Sequence, residues 1–356
     1  MWLDARERIH APEIEGEWLN SPPLKLRELR GRVVLVDFWD YTCVNCLRTL
    51  PYLREWHRRY AGSASILAAD HGLVVIGVHA PEFSFAHDRT NVERAVRAEG
   101  LEYPVALDNE YRTWHAFANR CWPAKYLIDA RGYIRYVHLG EGQYRETEEA
   151  IQRLLGEAGV TAPLPAPIEP LPASDRPGAV CFPATPELYL GYGRGRLGNE
   201  AGYAADQVAD YAPAAARRAD VAYLEGPWFA GRELIAACPL PGRESRLRVR
   251  YTAGEVNLVM GPPDLGDLRV AGRETRATLV VRQDGRPLPV DDRGADVIAL
   301  GGETVIEVSE PRMYRLVRNR QPVTRELEIW TRTPGIEVYA FTFVPCVDGA
   351  ADEVAS

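Results

Sequence analysis

Two cysteines three residues apart, Cys43 and Cys46, carry the most specific chemistry in the chain. They lie in Val33 to Pro51, VVLVDFWDYTCVNCLRTLP, where an apolar run enters Asp37-Phe38-Trp39, a short polar turn follows, and helical spacing begins at the first cysteine. The pattern predicts a buried strand, a turn, and a helix whose first residues hold both thiols. A helix start presents unpaired N–H groups and the positive end of the macrodipole, so a thiol there is stabilised as its thiolate. Cys43 is the expected nucleophile. Cys46, one turn on, is near enough to attack a mixed disulfide on Cys43 and release the reduced product. That is two-step dithiol–disulfide exchange. Two other readings of the pair are weaker. A structural zinc site needs four ligands, and no second Cys-x-x-Cys or His-x-x-x-His pair follows. A purely structural bridge within one turn closes too small a loop to stabilise much by chain entropy.

The elements that would position the pair can be read around it. Gly72 to His79 is a β-branched run and marks a buried parallel strand. Helical periodicity at 88–98, a short strand at 105–107 and a helical piece at 111–118 come next. Trp122 to Asp129 and Gly132 to His138 read as a hairpin, and 147–157 as a closing helix. The active-site helix is expected to reach about Tyr60, with Pro51 kinking it. Residues 1–30, broken by Pro12, Gly16, Pro22 and Pro23, suggest a β-hairpin ahead of the central sheet. Asp37 stands in an otherwise apolar strand six residues before Cys43. A carboxylate buried without a partner is costly, so it is expected to have a raised pKa and a task, a structural role being the alternative. Glu82, in His79-Ala80-Pro81-Glu82, falls at the carboxyl end of a strand, where functional groups of open α/β sheets gather. It is a second acid–base candidate, with an exposed loop carboxylate as the alternative. Loop placement and uneven spacing of His79 and His87 argue against a metal site there.

Asp-Phe-Trp followed by Cys-x-x-Cys, with a proline five residues after the second cysteine, resembles the thioredoxin superfamily. The string DFWDYTCVNCLRTLPYL, with GVHAPEF and WPAKYLID downstream, is similar to its TlpA/ResA-like branch and to the soluble C-terminal part of DipZ-type proteins. Val44-Asn45 replaces the Gly-Pro of thioredoxin itself. The resemblance implies a thioredoxin-like α/β domain with an insertion and an N-terminal hairpin. It implies no cofactor, and protein disulfides or dithiols as substrates. It makes Asp37 the acid that helps deprotonate Cys46, Glu82 a functional glutamate near the dithiol, and Pro123 a cis-proline packed against the sulfurs. An ordinary trans proline entering a strand is the alternative for Pro123. Trp39 and Trp122 would wall the site, Trp122 pairing its backbone with an extended substrate. Cys121, two residues before Pro123, reads as a filler more than as a third redox thiol. A membrane electron donor upstream is also compatible with the resemblance.

Beyond the closing helix, Thr161 to Pro177 is rich in proline and reads as a semi-rigid linker. The expected division is 1–160 for the thioredoxin-like domain, 161–178 for the linker and 179–349 for a second domain. Short strands separated by Gly, Asp and Pro turns, with no helical pattern between them, indicate an all-β jelly-roll or β-sandwich. It resembles carbohydrate-binding modules, and Trp228, Tyr223 and Tyr251 could form a sugar-stacking platform, although sandwich aromatics are more often core.

The 356 residues suffice for two cores, and 46% hydrophobic with 26% charged residues is a globular composition. No apolar run reaches the length of a membrane span. The N-terminus lacks an apolar signal region, which taken literally points to the cytoplasm; a longer native start would place the protein outside it. A net charge of −8, with basic residues scattered, argues against nucleic acid and anionic membrane surfaces. Lysine occurs only at 25 and 125, a bias read as compositional. Cys121, Cys181, Cys238 and Cys346 are widely spaced, unlike a secreted disulfide framework, and read mostly as buried small residues, with a Cys181–Cys346 bridge across the second domain as an alternative. A thiol peroxidase shares the fold, but DYTCVNC lacks the proline that should precede a peroxidatic cysteine. A glycan- or envelope-binding protein with an ancillary redox domain is the third reading.

Overall fold

A computed structural model describes residues 1–3, 8–61, 72–172, 175, 181, 183–263, 277–321 and 323–346. The chain forms two compact units, Met1–Leu171 and Pro172–Ser356.

In the first unit, order along the chain is β1 (Glu17–Leu19), β2 (Val33–Trp39), α1 (Val44–Tyr60), β3 (Leu73–His79), α2 (Arg89–Ala98), β4 (Val105–Leu107), α3 (Arg112–Ala116), β5 (Ala124–Ile128), β6 (Ile134–Leu139) and α4 (Tyr144–Glu157). The six strands form one sheet ordered β1-β4-β3-β2-β5-β6. β2, β3 and β4 are parallel, β5 runs antiparallel to β2, and β6 runs antiparallel to β5. All seven residues of β2 and of β3 are buried, as continuous apolar runs require in a sheet covered on both faces. Strand alternation then sorts side chains between two cores. Leu35 and Trp39 of β2 pack with α1, α2 and α4, whereas Val34, Val36 and Phe38 pack on the opposite face with Trp114 of α3. Asp37 therefore belongs to the α1 face.

One expectation for this unit is corrected. Among the described residues of 1–30, the one strand is β1, and it pairs with β4 across the sheet instead of with a hairpin partner. The apolar pieces at Trp18-Leu19 are used to extend the sheet edge, and Trp2 and His10 make only isolated bridges to β6 and its approach. The proline-rich stretch is not a free spacer at its start. Ile168 is buried in the α1-side core and its N–H donates to Glu148 at 2.7 Å, and the Leu171 N–H donates to Tyr52 Oη at 3.0 Å. An extended proline-rich backbone can lie along a surface, and the apolar residues between the prolines anchor it there.

The second unit contains β7 (Leu188–Tyr189), β8 (Gln207–Tyr211), β9 (Ala222–Ala230), β10 (Ile235–Ala237), β11 (Ser245–Thr252), β12 (Glu255–Gly261), β13 (Ala277–Gln283), β14 (Arg286–Pro287), β15 (Ile298–Leu300), β16 (Glu303–Val308), β17 (Arg312–Arg318), β18 (Thr324–Thr331) and β19 (Glu337–Val344). The strand pairs are antiparallel. β9 changes sheets along its length: Ala222–Glu225 pair with β11, and beyond Gly226, at φ +77°, Trp228–Ala230 pair with β10. A strand that turns at a glycine and continues in a second sheet makes a corner of a sandwich. Inward residues of both halves, such as Leu247, Val281 and Ile329 from one and Leu258, Tyr314 and Phe341 from the other, form one core.

That core takes Trp228 and Tyr251, two of the three aromatics proposed as a sugar platform, while Tyr223, which alternates with the inward Ala222 and Leu224, is buried on the other face of β9. Trp228, Tyr223 and Tyr251 are all buried, and their polar atoms are used internally. Trp228 Nε1 donates to the Glu225 and Arg246 carbonyls, Tyr251 Oη donates to Gln283, and Tyr223 Oη accepts the Arg218 N–H. Cys181 and Cys346 are bridged, with Cα atoms 4.2 Å apart, and Cys181 is exposed, so this pair is not buried filler. Cys121 and Cys238 are free and half-buried.

Candidate active site

β2 delivers the site and α1 carries it. After Trp39 the chain turns through Asp40, Tyr41 and Thr42, and Cys43 takes the extended backbone of a helix cap, φ −81° and ψ 111°. Its Sγ accepts the Cys46 N–H at 3.1 Å, so sulfur stands where a serine or aspartate oxygen usually satisfies a helix start. Cys43 and Cys46 are disulfide-bonded, with Cα atoms 5.2 Å apart. Cys43 is half-buried, Asn45 exposed and Cys46 fully buried. Only the first sulfur can meet a partner from outside.

The turn is held by Asp40, which the sequence reading passed over. Its carboxylate is wholly buried and accepts the Thr42 N–H at 2.6 Å, the Thr42 hydroxyl and the Glu82 N–H at 3.0 Å. His79 Nε2 lies 3.4 Å away, its ring stacked on Tyr41. Burial alone would push the Asp40 carboxyl up, but the His79 and Thr42 hydrogen bonds outweigh it and hold it below its ordinary value. One anion thus ties the residues before Cys43 to the loop after β3. The signal was an acid directly after Asp-Phe-Trp, in a turn with a hydroxyl two residues on.

On the α1 face of β2, Asp37 is 1% exposed, and among the described residues neither carboxyl oxygen has a hydrogen-bond partner. Lys125 faces it from the adjacent strand, the two being paired in the β2–β5 register, with Nζ 3.9 Å from Oδ1. Burial pushes the Asp37 carboxyl up to about 7 against the opposing pull of Lys125, and burial likewise pushes Lys125 down. Asp37 is therefore poised to exchange a proton near neutrality, as a proton acceptor for a buried thiol must be. Lysine at 125 is one of only two in the chain, and reading that scarcity as composition alone missed a buried partner of the acid.

The remaining candidates divide. Trp122–Pro123 is a cis peptide, and continuing the register Phe38↔Ala124 sets Pro123 across from Trp39. Trp122 is half-buried, its ring centroid 4.4 Å from that of Trp114, and it bridges both cores. Trp39 is fully buried, so it supports the dithiol from below and offers no surface to a substrate. Glu82 is half-buried and enters through its backbone bond to Asp40. Cys121 stays unbridged, and His79 and His87 do not converge: the first is wholly buried against Asp40, the second exposed.

Comparison with known proteins agrees with this geometry. Residues 9–137 match the AhpC/TSA family, and residues 185–343 match the family described as thioredoxin like C-terminal domain. Protein DipZ of Mycobacterium bovis is 33% identical over 341 residues, which is 94% of this chain and 42% of DipZ. The thiol-disulfide oxidoreductase ResA of Halalkalibacterium halodurans is 29% identical over 154 residues, covering 43% of this chain and 80% of ResA. The thiol-disulfide oxidoreductase YkuV of Bacillus subtilis is 24% identical over 148 residues, covering 41% of this chain and 94% of YkuV. The chain spans about two-fifths of the length of its DipZ relatives. By motif, sheet order and family match it belongs to the thioredoxin superfamily, with a TlpA/ResA-like domain followed by a thioredoxin-like C-terminal domain.

Proposed function

We propose that the chain is a thiol–disulfide oxidoreductase that exchanges disulfides with protein thiols through Cys43 and Cys46. The observation that carries this is the unequal pair: a half-exposed sulfur capping α1, bonded to a fully buried one in the α1-side core. In the reducing direction, the Cys43 thiolate attacks a substrate disulfide and expels one substrate thiolate. Cys46 then attacks Cys43, the Cys43–substrate bond breaks, and Asp37 takes the Cys46 proton. The reverse sequence oxidises a dithiol. Trp122 and Pro123 border the approach to Cys43. Glu82 shares Asp40 as an anchor with the turn that precedes Cys43, and we assign its carboxylate the role of disfavouring the thiolate there. Glu82→Gln should lower the pH midpoint of Cys43 alkylation by iodoacetamide; an unmoved midpoint removes Glu82 from the site.

Cys181 is exposed and bridged, and such a disulfide persists in oxidising compartments while cytosolic thiol pools reduce it. This favours an extracytoplasmic site of action over a cytoplasmic one, with reducing equivalents supplied by a donor in the membrane. The three aromatics of the expected sugar platform are buried, so they do not support glycan binding by the second unit. Insulin disulfide reduction, run beside hydrogen peroxide consumption, tests the proposal: turnover of insulin without peroxide consumption is expected, and the opposite pattern would favour a thiol peroxidase.

A further inference from the structure

Asp37 must exchange a proton with water in every cycle, yet it is wholly buried, and substrate covers the dithiol side when Cys46 attacks. A second route leads away from it under α1. Gly77 pairs with Asp37 in the neighbouring strand, and its missing side chain leaves room for Tyr103: a Cβ there would stand 3.3 Å from Tyr103 Cε2 and 3.0 Å from Trp39 Nε1. Tyr103 is fully buried, and among the described residues its hydroxyl has no hydrogen-bond partner. Its ring lies edge-on to His57 of α1, 5.9 Å between centroids, and His57 Nδ1 is also buried and, among the described residues, unpartnered. Tyr103 and His57 both line a pocket of about 460 Å³, together with Arg54, Glu55, Arg58 and Glu102. Buried polar atoms left without partners are rare, and a run of them between an acid and a pocket is the arrangement a proton path requires.

We propose that Tyr103 and His57 carry the Asp37 proton to this pocket, as positioning residues for proton exchange and not as groups that touch substrate. When Cys46 attacks, the Cys43–Cys46 bond forms, the Cys43–substrate bond breaks, and the Cys46 proton passes to Asp37. Tyr103 then accepts that proton as it gives its own to His57, each transfer passing through a bridging water, and His57 releases it to solvent. The hydroxyl never ionises, which suits a group whose proton is held on by burial and, secondarily, by the Asp37 charge. Burial holds His57 below its ordinary value, with Glu102 partly opposing, so near neutral pH the imidazole is a free acceptor. Arg54 and Glu99 also face Tyr103, and Lys125, itself facing Glu141, faces Asp37.

The path rests on Asp37 being the acceptor, and the test separates the two. Reduced protein is mixed with dithiobis(nitrobenzoate) in weakly buffered solution: the first nitrothiolate reports capping of Cys43, the second reports attack by Cys46. Tyr103→Phe and His57→Ala should each slow the second phase about ten-fold without slowing the first, and added imidazole should restore His57→Ala alone. Second phases within about two-fold of wild type in both variants would overturn the path. If Asp37→Asn is then slowed, the acceptor role stands and only the path falls; if it is not, the acceptor role falls too. Should Tyr103→Phe fail to fold, imidazole rescue of His57→Ala decides by itself.

Discussion

Cys43 and Cys46 have the same chemistry and different surroundings, and the difference sets their roles. The outer sulfur caps a helix and is half-exposed; the inner one is sealed in the α1-side core. At this scale pH is the informative variable. The native Asp37 carboxyl titrates at about 7 against an ordinary 3.8, raised chiefly by burial. A group raised in the folded state contributes stability that is complete below its unfolded value and is lost as pH rises through the folded one. Wild type should therefore lose stability between about pH 4 and pH 7, and Asp37→Asn should not. The stability of the variant relative to wild type should rise between about pH 4 and pH 7, read as a urea midpoint at each pH. A constant difference across that range would mean that Asp37 is ionised throughout.

The β2–turn–α1 unit is where sequence and structure agree most closely, and the reason is physical. A continuous apolar run can only be a doubly covered strand, and two cysteines at helical spacing directly after a polar turn fix where the helix begins. Asp37 and the bend at Trp122-Pro123 were legible for the same reason, each being out of character with its neighbours. What escaped was held by pairing across strands or between loops. Lys125 meets Asp37 only through the β2–β5 register, and Asp40 meets His79 only because β2 and β3 lie side by side. The N-terminal hairpin failed because a three-residue strand has no intrinsic partner, and β4 offered an open edge. The Asp40 clamp gives this scale its own test. Asp40→Asn weakens the acceptor that holds the Thr42 and Glu82 N–H groups, and a buried hydrogen bond to a charged group is worth roughly 1.5–3 kcal/mol. The thermal midpoint should fall accordingly, and Cys43 should lose its ordered alkylation behaviour as the turn loosens. A variant as stable as wild type would show that the turn is held by packing alone.

Over the whole molecule, a redox unit of about half the chain is followed by a sandwich closed by its own disulfide. Cys181 and Cys346 are 165 residues apart, and a loop of that length stabilises by about 5 kcal/mol on chain-entropy grounds. Replacing both by serine should lower the unfolding transition of the second unit and leave that of the first in place; two transitions that move together would mean that the units do not unfold separately. The Cys181–Cys346 pairing was one alternative among buried singles in the sequence, because connectivity of scattered cysteines is decided by where strand ends meet. The dithiol of the first unit needs no such global information, and its division of labour can be measured in one experiment. The Cys46→Ala protein, fully reduced, is mixed with oxidised insulin, quenched with acid, and the adducts are mapped by mass spectrometry. The expected result is a stable, dithiothreitol-reversible mixed disulfide on Cys43. Accumulated insulin without an adduct, or an adduct on Cys121 or Cys238 in place of Cys43, would contradict an outer attacking sulfur and an inner resolving one.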